Sequence, residues 1–164
     1  MIIVLLAEGF EELEALTPVD ILRRAGQEVK TVGIGTKSPV GAHGIPVVCD
    51  ALPEEIDLSK VDMAIFPGGM PGSLNLDASP YTNKVIEEVT KNGGRLAAIC
   101  AAPLIFGRRG LLQGKRATCF PGFEEELTGA KVTGSAVVTD GNVTTARDFR
   151  SAIEFGDELA GLLK

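Results

Sequence analysis

Apolar residues along this chain fall in short, nearly continuous runs, separated by longer stretches in which apolar and polar residues repeat at helical spacing. The apolar runs cover residues 1–7, 29–34, 62–66 and 95–99, which is the length of buried strands rather than helices. One helical stretch spans 11–25 and ends at Gly26; another is capped by Ser79, has Pro80 at its first position and runs to Asn92. Apolar strands separated by amphipathic helices predict an α/β fold, with a mostly parallel sheet covered by helices on both faces.

Weaker patterns predict shorter elements. These are strands around Val40, at 47–49 and at 117–119, a helix from just after Cys100 to about Arg109, and a last helix over about 148–163. Asp140 and Gly141 have the composition of a hairpin turn, and Pro18 is expected to bend the first helix. Because no linker, repeat or low-complexity segment interrupts the chain, a single domain over residues 1–164 is expected.

The charge balance narrows the classes of function. The chain of 164 residues is 45% hydrophobic and has a formal net charge of -6, without a cluster of lysines or arginines, so nucleic-acid binding is not expected. The loop after the first strand carries Glu8, Glu11, Glu12 and Glu14 where a dinucleotide-binding fold would place glycines. These acids would repel the phosphates of a nucleotide or flavin, so no cofactor is expected.

The cysteines and the N-terminal residues indicate whether the chain binds a metal and in which cellular compartment it lies. Cys49, Cys100 and Cys119 lie far apart, with no C-x-x-C pair and no cysteine–histidine cluster, so we expect no zinc or other metal site. Unpaired thiols in an odd number are typical of the reducing cytoplasm. The apolar start has no basic segment, is too short to span a bilayer and runs into acidic residues, which predicts a first strand and no membrane association.

Cys100 lies where an apolar strand meets a helix. Such a junction turns sharply and lifts one side chain above the carboxyl edge of the sheet, close to the first N–H groups of the helix. Those donors and the helix dipole favour a thiolate, which predicts a lowered Cys100 pKa and a reactive thiol. The alternative, a small buried hydrophobic residue, describes most free cysteines and stays open at this point.

Two more loops should meet Cys100 at the same sheet edge, namely 8–13 and 67–72. The glycines of the second loop leave backbone N–H groups uncovered that could bind an oxyanion, although a tight turn also explains them. In the first loop, Glu11 and Glu12 are best explained as acids that complement a helix dipole. Helical spacing does not decide whether Glu14 is buried, and His43 is favoured as a surface or interface residue over a catalytic base.

Several of these segments together resemble the ThiJ/PfpI superfamily, in the branch of DJ-one and its bacterial relatives. The matching segments are 6–14 (LAEGFEELE), 18–20 (PVD), 23–26 (RRAG), 66–69 (FPGG) and 98–103 (AICAAP). They occur in the order of the family and span nearly the whole chain. The resemblance implies a flavodoxin-like three-layer sandwich and a homodimer. It also implies that Cys100 is the reactive cysteine, that Glu14 is a buried acid partner, and that the N–H groups of Gly69 and Ala101 bind the oxyanion.

The chain departs from the family pattern at several positions. Phe120 stands where many relatives have a histidine close to the cysteine, so no triad can form there. Arg147 is kept, but the Gly-Pro-Gly that often follows it is replaced, and the sequence ends without the additional terminal helix of several relatives. Ala101 after the cysteine argues against a protease and against a glutamine amidotransferase. Gly68, Phe120, Arg147 and His43 are the candidate pocket residues.

Two functions are compatible with this resemblance. The first is a cofactor-independent enzyme of glyoxalase or deglycase type, in which the Cys100 thiolate attacks a small reactive carbonyl and Glu14 transfers the proton. The second is a redox-sensing stress protein or chaperone in which an oxidant converts Cys100 to a sulfinate. Both use the same residues, so the sequence does not separate them.

Overall fold

The sequence folds into eight strands and five α-helices. The computed structural model describes residues 1–164. The strands are β1 (Ile2–Leu6), β2 (Val29–Gly33), β3 (Met63–Phe66), β4 (Arg95–Ile99), β5 (Arg116–Ala117), β6 (Lys131–Val132), β7 (Val137–Asp140) and β8 (Val143–Ala146). The helices are α1 (Glu12–Arg24), α2 (Gly72–Ala78), α3 (Pro80–Lys91), α4 (Pro103–Arg108) and α5 (Ala152–Gly161). Single turns of 3-10 helix lie at Pro53–Glu55, Leu58–Lys60, Glu124–Glu126 and Phe149–Ser151.

Six of the strands form one sheet in the order β2-β1-β3-β4-β8-β7. All neighbours in this sheet are parallel except β7 and β8, which form the expected hairpin. β5 and β6 pair separately as a small parallel sheet. In this order β1, β3 and β4 are the central strands, so their carboxyl ends place residues 7–11, 67–69 and 100 at one edge of the sheet.

Successive side chains of the strands point to opposite faces and build two apolar cores. Ile3 and Leu5 of β1 pack in the core under α3 and α4, whereas Val4 and Leu6 pack in the core under α1 and α5. Helices therefore cover both faces of the sheet. The predicted three-layer α/β sandwich of flavodoxin type is confirmed.

The helix boundaries follow from local sequence. The Ser79 hydroxyl accepts a hydrogen bond from the Tyr81 N–H and caps α3, with Pro80 at the first helical position, where its missing N–H costs nothing. The helix ends at Lys91, and its C-cap Asn92 is followed by Gly93, which adopts a left-handed φ of 73°. The predicted helix at 80–92 is thus confirmed to within one residue.

Some short elements differ from the expectation. The strand predicted around Val40 is only an isolated bridge between Val40 and Pro46, and the strand predicted at 47–49 does not form; the neighbouring Ala51 makes an isolated bridge with Val32. The reason is local, because the Val47 and Cys49 N–H groups bond to nearby carbonyls of the same loop instead of a strand. The strand predicted at 117–119 shortens to β5, the last helix begins with a 3-10 turn, and α2 escaped prediction because it is short and glycine-initiated.

None of the helices combines the length and apolar character that a membrane crossing requires.

Candidate active site

Cys100 occupies a strained turn between β4 and α4. Its φ is 66°, and it is the one residue other than glycine with a positive φ, a conformation that persists only where the surrounding structure enforces it. Its N–H donates to the Ala146 carbonyl at 2.9 Å, and its carbonyl accepts from the Phe120 N–H at 2.8 Å. Two elements therefore hold the backbone while the thiol stays half-buried at the sheet edge.

Glu14 lies in the first turn of α1 and is only 1% exposed. Neither carboxyl oxygen has a hydrogen-bond partner, which is rare for a buried acid. Its place beside Cys100 is marked by Gly68: a Cβ on this glycine would lie 2.6 Å from the Cys100 Cβ and 3.0 Å from Glu14 Oε1. Glycine at 68 is thus what lets the thiol and the carboxyl approach each other.

Backbone N–H groups converge on the sulfur from two directions. The Gly69 N–H comes from the loop after β3, and the Ala101 N–H comes from the turn after the cysteine. Gly69 has a φ of 92°, which glycine adopts without strain. The structure therefore places Cys100, Glu14, Gly68, Gly69 and Ala101 together, in the arrangement that can bind an oxygen developing negative charge beside the nucleophile.

The thiol and the carboxyl are a coupled acid pair. Burial, followed by the negative charges of Glu11 and Asp148, raises the pKa of Glu14 to about 8, so this carboxyl keeps its proton at neutral pH. Burial also raises the pKa of the Cys100 thiol, and a charge on Glu14 adds to that effect. The N–H groups of Ala101 and Gly69 lower the Cys100 pKa but do not outweigh burial.

The lowered Cys100 pKa expected from the sequence is therefore wrong in direction. The expectation rested on donors and a helix dipole, yet α4 has six residues and begins at Pro103, so little dipole acts on the sulfur. When the pair has lost one proton, the negative charge lies on the Cys100 sulfur or on the Glu14 carboxyl, depending on which of the two keeps the remaining proton. When Glu14 is protonated, the repulsion that opposes a thiolate disappears.

Two acids near Glu14 were not identified as part of the site from the sequence. Glu11 caps α1, since its Oε2 accepts the N–H of Glu14 at 2.8 Å. Asp148, which is buried after β8, accepts from the Arg150 N–H at 2.9 Å and from Arg147 Nε at 3.2 Å. From the sequence, Glu11 was interpreted only as a complement to the helix dipole. A glutamate at the N-cap position is unusual, and this was the sequence feature that could have indicated a further role.

The other candidate pocket residues are placed differently. Phe120 is tied to Cys100 through its backbone, and its exposed ring packs edge-on against Phe123 with centroids 6.4 Å apart. Arg147 extends to the Gly134 carbonyl at 3.1 Å as well as to Asp148, so its guanidinium is held on the loop before β7.

His43 is exposed, as expected, and lies beside α1. The ring Nδ1 of His43 is 2.9 Å from Oε2 of Glu12, and the backbone N–H of His43 donates to Oε1 of Glu12 at 2.7 Å. Glu12 is thereby buried under the loop, beyond the helix-dipole role expected for it. The imidazole borders a cavity of about 360 Å³ that Cys100 does not line.

Ligating atoms of Glu11, Glu12 and His43 lie within 4.8 Å of one another. Hydrogen bonds between Glu12 and the His43 loop account for this grouping, so we assign no metal ligands there.

The remaining cysteines are buried in the two cores. Cys49 packs on the side of α1 and α5, and Cys119 packs on the side of α3 and α4. Burial raises the pKa of Cys119 to about 11 and raises that of Cys49 as well. Both thiols are therefore core residues with little access to solvent.

The chain is similar to known proteins over almost its full length. The DJ-1/PfpI family model matches residues 1–161. DJ-1 homolog B of Arabidopsis thaliana is 38% identical over 157 residues, which cover 94% of this chain and 36% of that protein. The chain thus spans little more than a third of the plant relative's length.

Two relatives have names that state an activity. A deglycase of Pyrococcus abyssi is 30% identical over 149 residues, covering 89% of each chain. A glutathione-independent glyoxalase of Caenorhabditis elegans is 30% identical over 165 residues, covering 99% of this chain and 88% of that one.

The fold has close structural counterparts as well. The crystal structure of Drosophila melanogaster DJ-1beta superposes with a TM-score of 0.92 at 31% identity, covering 99% of this chain and 89% of that one. The family model, the relatives and the shared fold agree. This chain belongs to the DJ-1/PfpI family.

Proposed function

We propose that this protein is a cofactor-independent cysteine enzyme that acts on small reactive carbonyls, in the manner of a glyoxalase or deglycase. The observation that carries the proposal is the strained Cys100 beside a buried Glu14 that holds its proton at neutral pH. The names of the Pyrococcus and Caenorhabditis relatives support the same class of substrate.

The first step is the addition of Cys100 to an aldehyde such as that of methylglyoxal. A bond forms between sulfur and the carbonyl carbon while the carbonyl electron pair moves to oxygen, where the N–H groups of Gly69 and Ala101 stabilise the charge. The proton of the pair then moves to this oxygen and gives a hemithioacetal. No other titratable residue is required for this step.

The second step moves one proton from carbon to carbon. As a carboxylate, Glu14 removes the proton of the hemithioacetal carbon to give an enediolate and then returns it to the adjacent carbon, while the hydroxyl proton passes from the first oxygen to the second. The product is a thioester of Cys100, which water cleaves to lactate and the free thiol. Because Phe120 provides no second base and Glu14 is mostly protonated at pH 7, we expect slow turnover that increases toward pH 8.

Conversion of methylglyoxal to lactate tests this proposal. Cys100→Ser is expected to abolish conversion, and Glu14→Gln to lower it by at least about a hundredfold, the usual contribution of general acid–base catalysis. Cys119→Ser, a thiol change in the core, serves as the matched control and should keep the wild-type rate. Unchanged conversion by Cys100→Ser would rule out the enzyme as described.

A second candidate function follows from the exposure of the three thiols. Cys100 is half-buried, whereas Cys49 and Cys119 are buried, so an oxidant meets Cys100 first. A protonated Glu14 could donate a hydrogen bond to a sulfinate there. Under mild peroxide, intact-mass spectra and peptide mapping should locate two added oxygens on Cys100; preferential oxidation of Cys119 would contradict a sensor role.

We further propose that two copies of the chain associate through the outer face of α1 and α5. This face exposes the apolar side chains of Leu13, Leu16 and Ile153, and the exposed Phe149 lies in the 3-10 turn just before α5. Light scattering should give the mass of a dimer that Ile153→Glu converts to a monomer, while Val48→Glu, at an exposed valine outside this face, should not. A wild-type monomer would refute the proposal. With three unpaired thiols, we place the protein in the cytoplasm.

A further inference from the structure

Phe120 exposes a phenyl ring next to the backbone of the candidate nucleophile. The residue is 41% exposed, and its N–H donates to the Cys100 carbonyl at 2.8 Å, so residues 100 and 120 are direct neighbours. Single exposed apolar side chains are common on protein surfaces, but this one lies at the candidate active site. The chemistry proposed above uses neither the ring nor the apolar surface that it offers.

The packing of neighbouring residues indicates the side of the chain on which this ring lies. Ala117 and Cys119 both pack in the core under α3 and α4. Because side chains alternate along an extended segment, Phe120 lies on the side opposite to Cys119. Cys100 likewise packs against the other core, under α1 and α5. The phenyl ring and the thiol are therefore on the same side of the chain, at the carboxyl edge of the sheet.

A tight turn holds the ring in place. The Phe123 N–H donates to the Phe120 carbonyl at 3.1 Å, and the Gly122 N–H donates to Oε2 of Glu124 at 2.7 Å. The two phenyl rings pack edge-on, with an interplanar angle of 68°. A ligand that packs on a ring fixed in this way loses little affinity to the ordering of the protein.

A second exposed apolar side chain comes from the other segment that reaches the thiol. Met70 follows Gly69, whose N–H group faces the Cys100 sulfur, and it is 45% exposed. Methionine is flexible and adapts to ligands of different shape. The polar groups of the site, which are the Glu14 carboxyl and the N–H groups, thus lie next to two segments that expose apolar side chains. Such a combination suits a ligand with a polar reacting end and an apolar remainder.

We propose that Phe120 is a specificity-determining residue and that the site takes α-oxoaldehydes with an aromatic substituent in preference to methylglyoxal. The inference rests on the carbonyl chemistry proposed above, in which Cys100 adds to the aldehyde carbon, and that chemistry is the same for either substituent. An aromatic substituent packs against the Phe120 ring, whereas the methyl group of methylglyoxal covers little of it.

Conversion of phenylglyoxal to mandelate, compared with conversion of methylglyoxal to lactate, measures this preference. The kcat/KM for phenylglyoxal divided by that for methylglyoxal should fall about three- to tenfold in Phe120→Ala, the usual contribution of an aromatic pair. Comparing this ratio between proteins removes the different intrinsic reactivity of the two aldehydes. Phe120→Gln, which keeps a long side chain but makes it polar, should lower the ratio to a similar extent.

Phe149→Ala is the matched control. It truncates a phenylalanine that is 43% exposed, close to the exposure of Phe120, but that borders a cavity which Cys100 does not line. This variant should keep the wild-type ratio. If Phe120→Ala and Phe120→Gln also keep it, the ring does not contact the substrate and the proposal is refuted.

A second measurement does not require turnover. Peptide mass spectrometry gives the rates at which N-phenylmaleimide and N-methylmaleimide modify Cys100. Both reagents add to the same thiolate, so the ionised fraction of Cys100 cancels in the ratio of the two rates. Phe120→Ala and Phe120→Gln should lower the ratio of phenyl to methyl reagent by about threefold or more, and Phe149→Ala should leave it unchanged.

The two measurements let the proposals fail separately. If Phe120→Ala lowers the maleimide ratio while the wild type converts neither oxoaldehyde, the enzyme is refuted and the aromatic contact of Phe120 is retained. If the wild type converts both oxoaldehydes and neither ratio changes in the Phe120 variants, the enzyme is retained and the role of Phe120 is refuted.

Discussion

Replacing Glu14 with glutamine should stabilise the folded protein at neutral and alkaline pH, and this gain should vanish in acid. The pKa of Glu14 is about 8 in the folded chain, against an ordinary value of 4.5. Between these values the unfolded chain releases its proton while the folded chain keeps it, so rising pH favours unfolding. The contribution of the protonated acid is complete below pH 4.5 and is lost progressively up to about pH 8.

The size of the effect follows from that difference in pKa. Each unit corresponds to about 1.4 kcal/mol, so at pH 7 the wild-type protein should have lost about 3 kcal/mol relative to its stability in acid. Glutamine cannot titrate and avoids this loss. It also resembles the protonated acid in shape and charge, so any packing cost of the amide is the same at every pH.

Urea unfolding between pH 4 and 9 measures the effect, because the difference in unfolding free energy between Glu14→Gln and the wild type can be followed as the pH changes. The free energy of unfolding of Glu14→Gln minus that of the wild type should rise by about 3 kcal/mol from pH 4 to pH 7, whatever its absolute value. Glu8→Gln, an exposed charge change of equal sign, corrects for the net charge. Parallel curves for Glu14→Gln and wild type would mean that Glu14 titrates normally, and the description of the site as a proton-holding pair would be wrong.

Two other substitutions test the geometry. Gly68→Ala should lower both Cys100 alkylation and methylglyoxal conversion at least tenfold with the circular dichroism spectrum unchanged, because the added Cβ would lie 2.6 Å from the Cys100 Cβ; wild-type alkylation would contradict this contact. Asp50→Ala should lower the free energy of unfolding by about 1–3 kcal/mol in urea, since Asp50 Oδ2 accepts from Thr31 N at 2.8 Å and Arg23 at 2.7 Å; an unchanged midpoint would show that these bonds add nothing.

The central strands could be predicted because they are buried on both faces. In β1, β3 and β4 nearly every residue is apolar, and runs of four or five such residues are typical of strands in a sheet that helices cover on both faces. The segment 47–49 has equally strong β-formers, yet it forms no strand. A strand forms only when its backbone N–H and C=O groups bond to a neighbouring strand. The N–H groups of Val47 and Cys49 instead donate to carbonyls of their own loop.

Part of the site was also readable before any comparison. Cys100 and the Gly68–Gly69 loop follow buried strands directly, and parallel strands bring their carboxyl ends to one edge. Glu14 was different, because α1 buries this acid while it exposes Leu13 and Leu16. Because a buried acid beside exposed leucines reverses the usual pattern, hydrophobic periodicity could not predict that Glu14 is buried. In the sequence, only the family resemblance indicated it.

The direction of the Cys100 pKa shows why local sequence could not settle the chemistry. Donors next to the sulfur are visible in the sequence and favour a thiolate. The burial and the Glu14 charge that oppose them come from the folded chain, and Glu14 lies on α1, far from Cys100 in the sequence. With Glu14 ionised, burial and repulsion act together against the thiolate. With Glu14 protonated, the repulsion is gone and the N–H groups of Gly69 and Ala101 oppose burial alone. The reactivity of the cysteine is therefore decided by the proton on Glu14, an acid that lies on a different helix and far away along the chain.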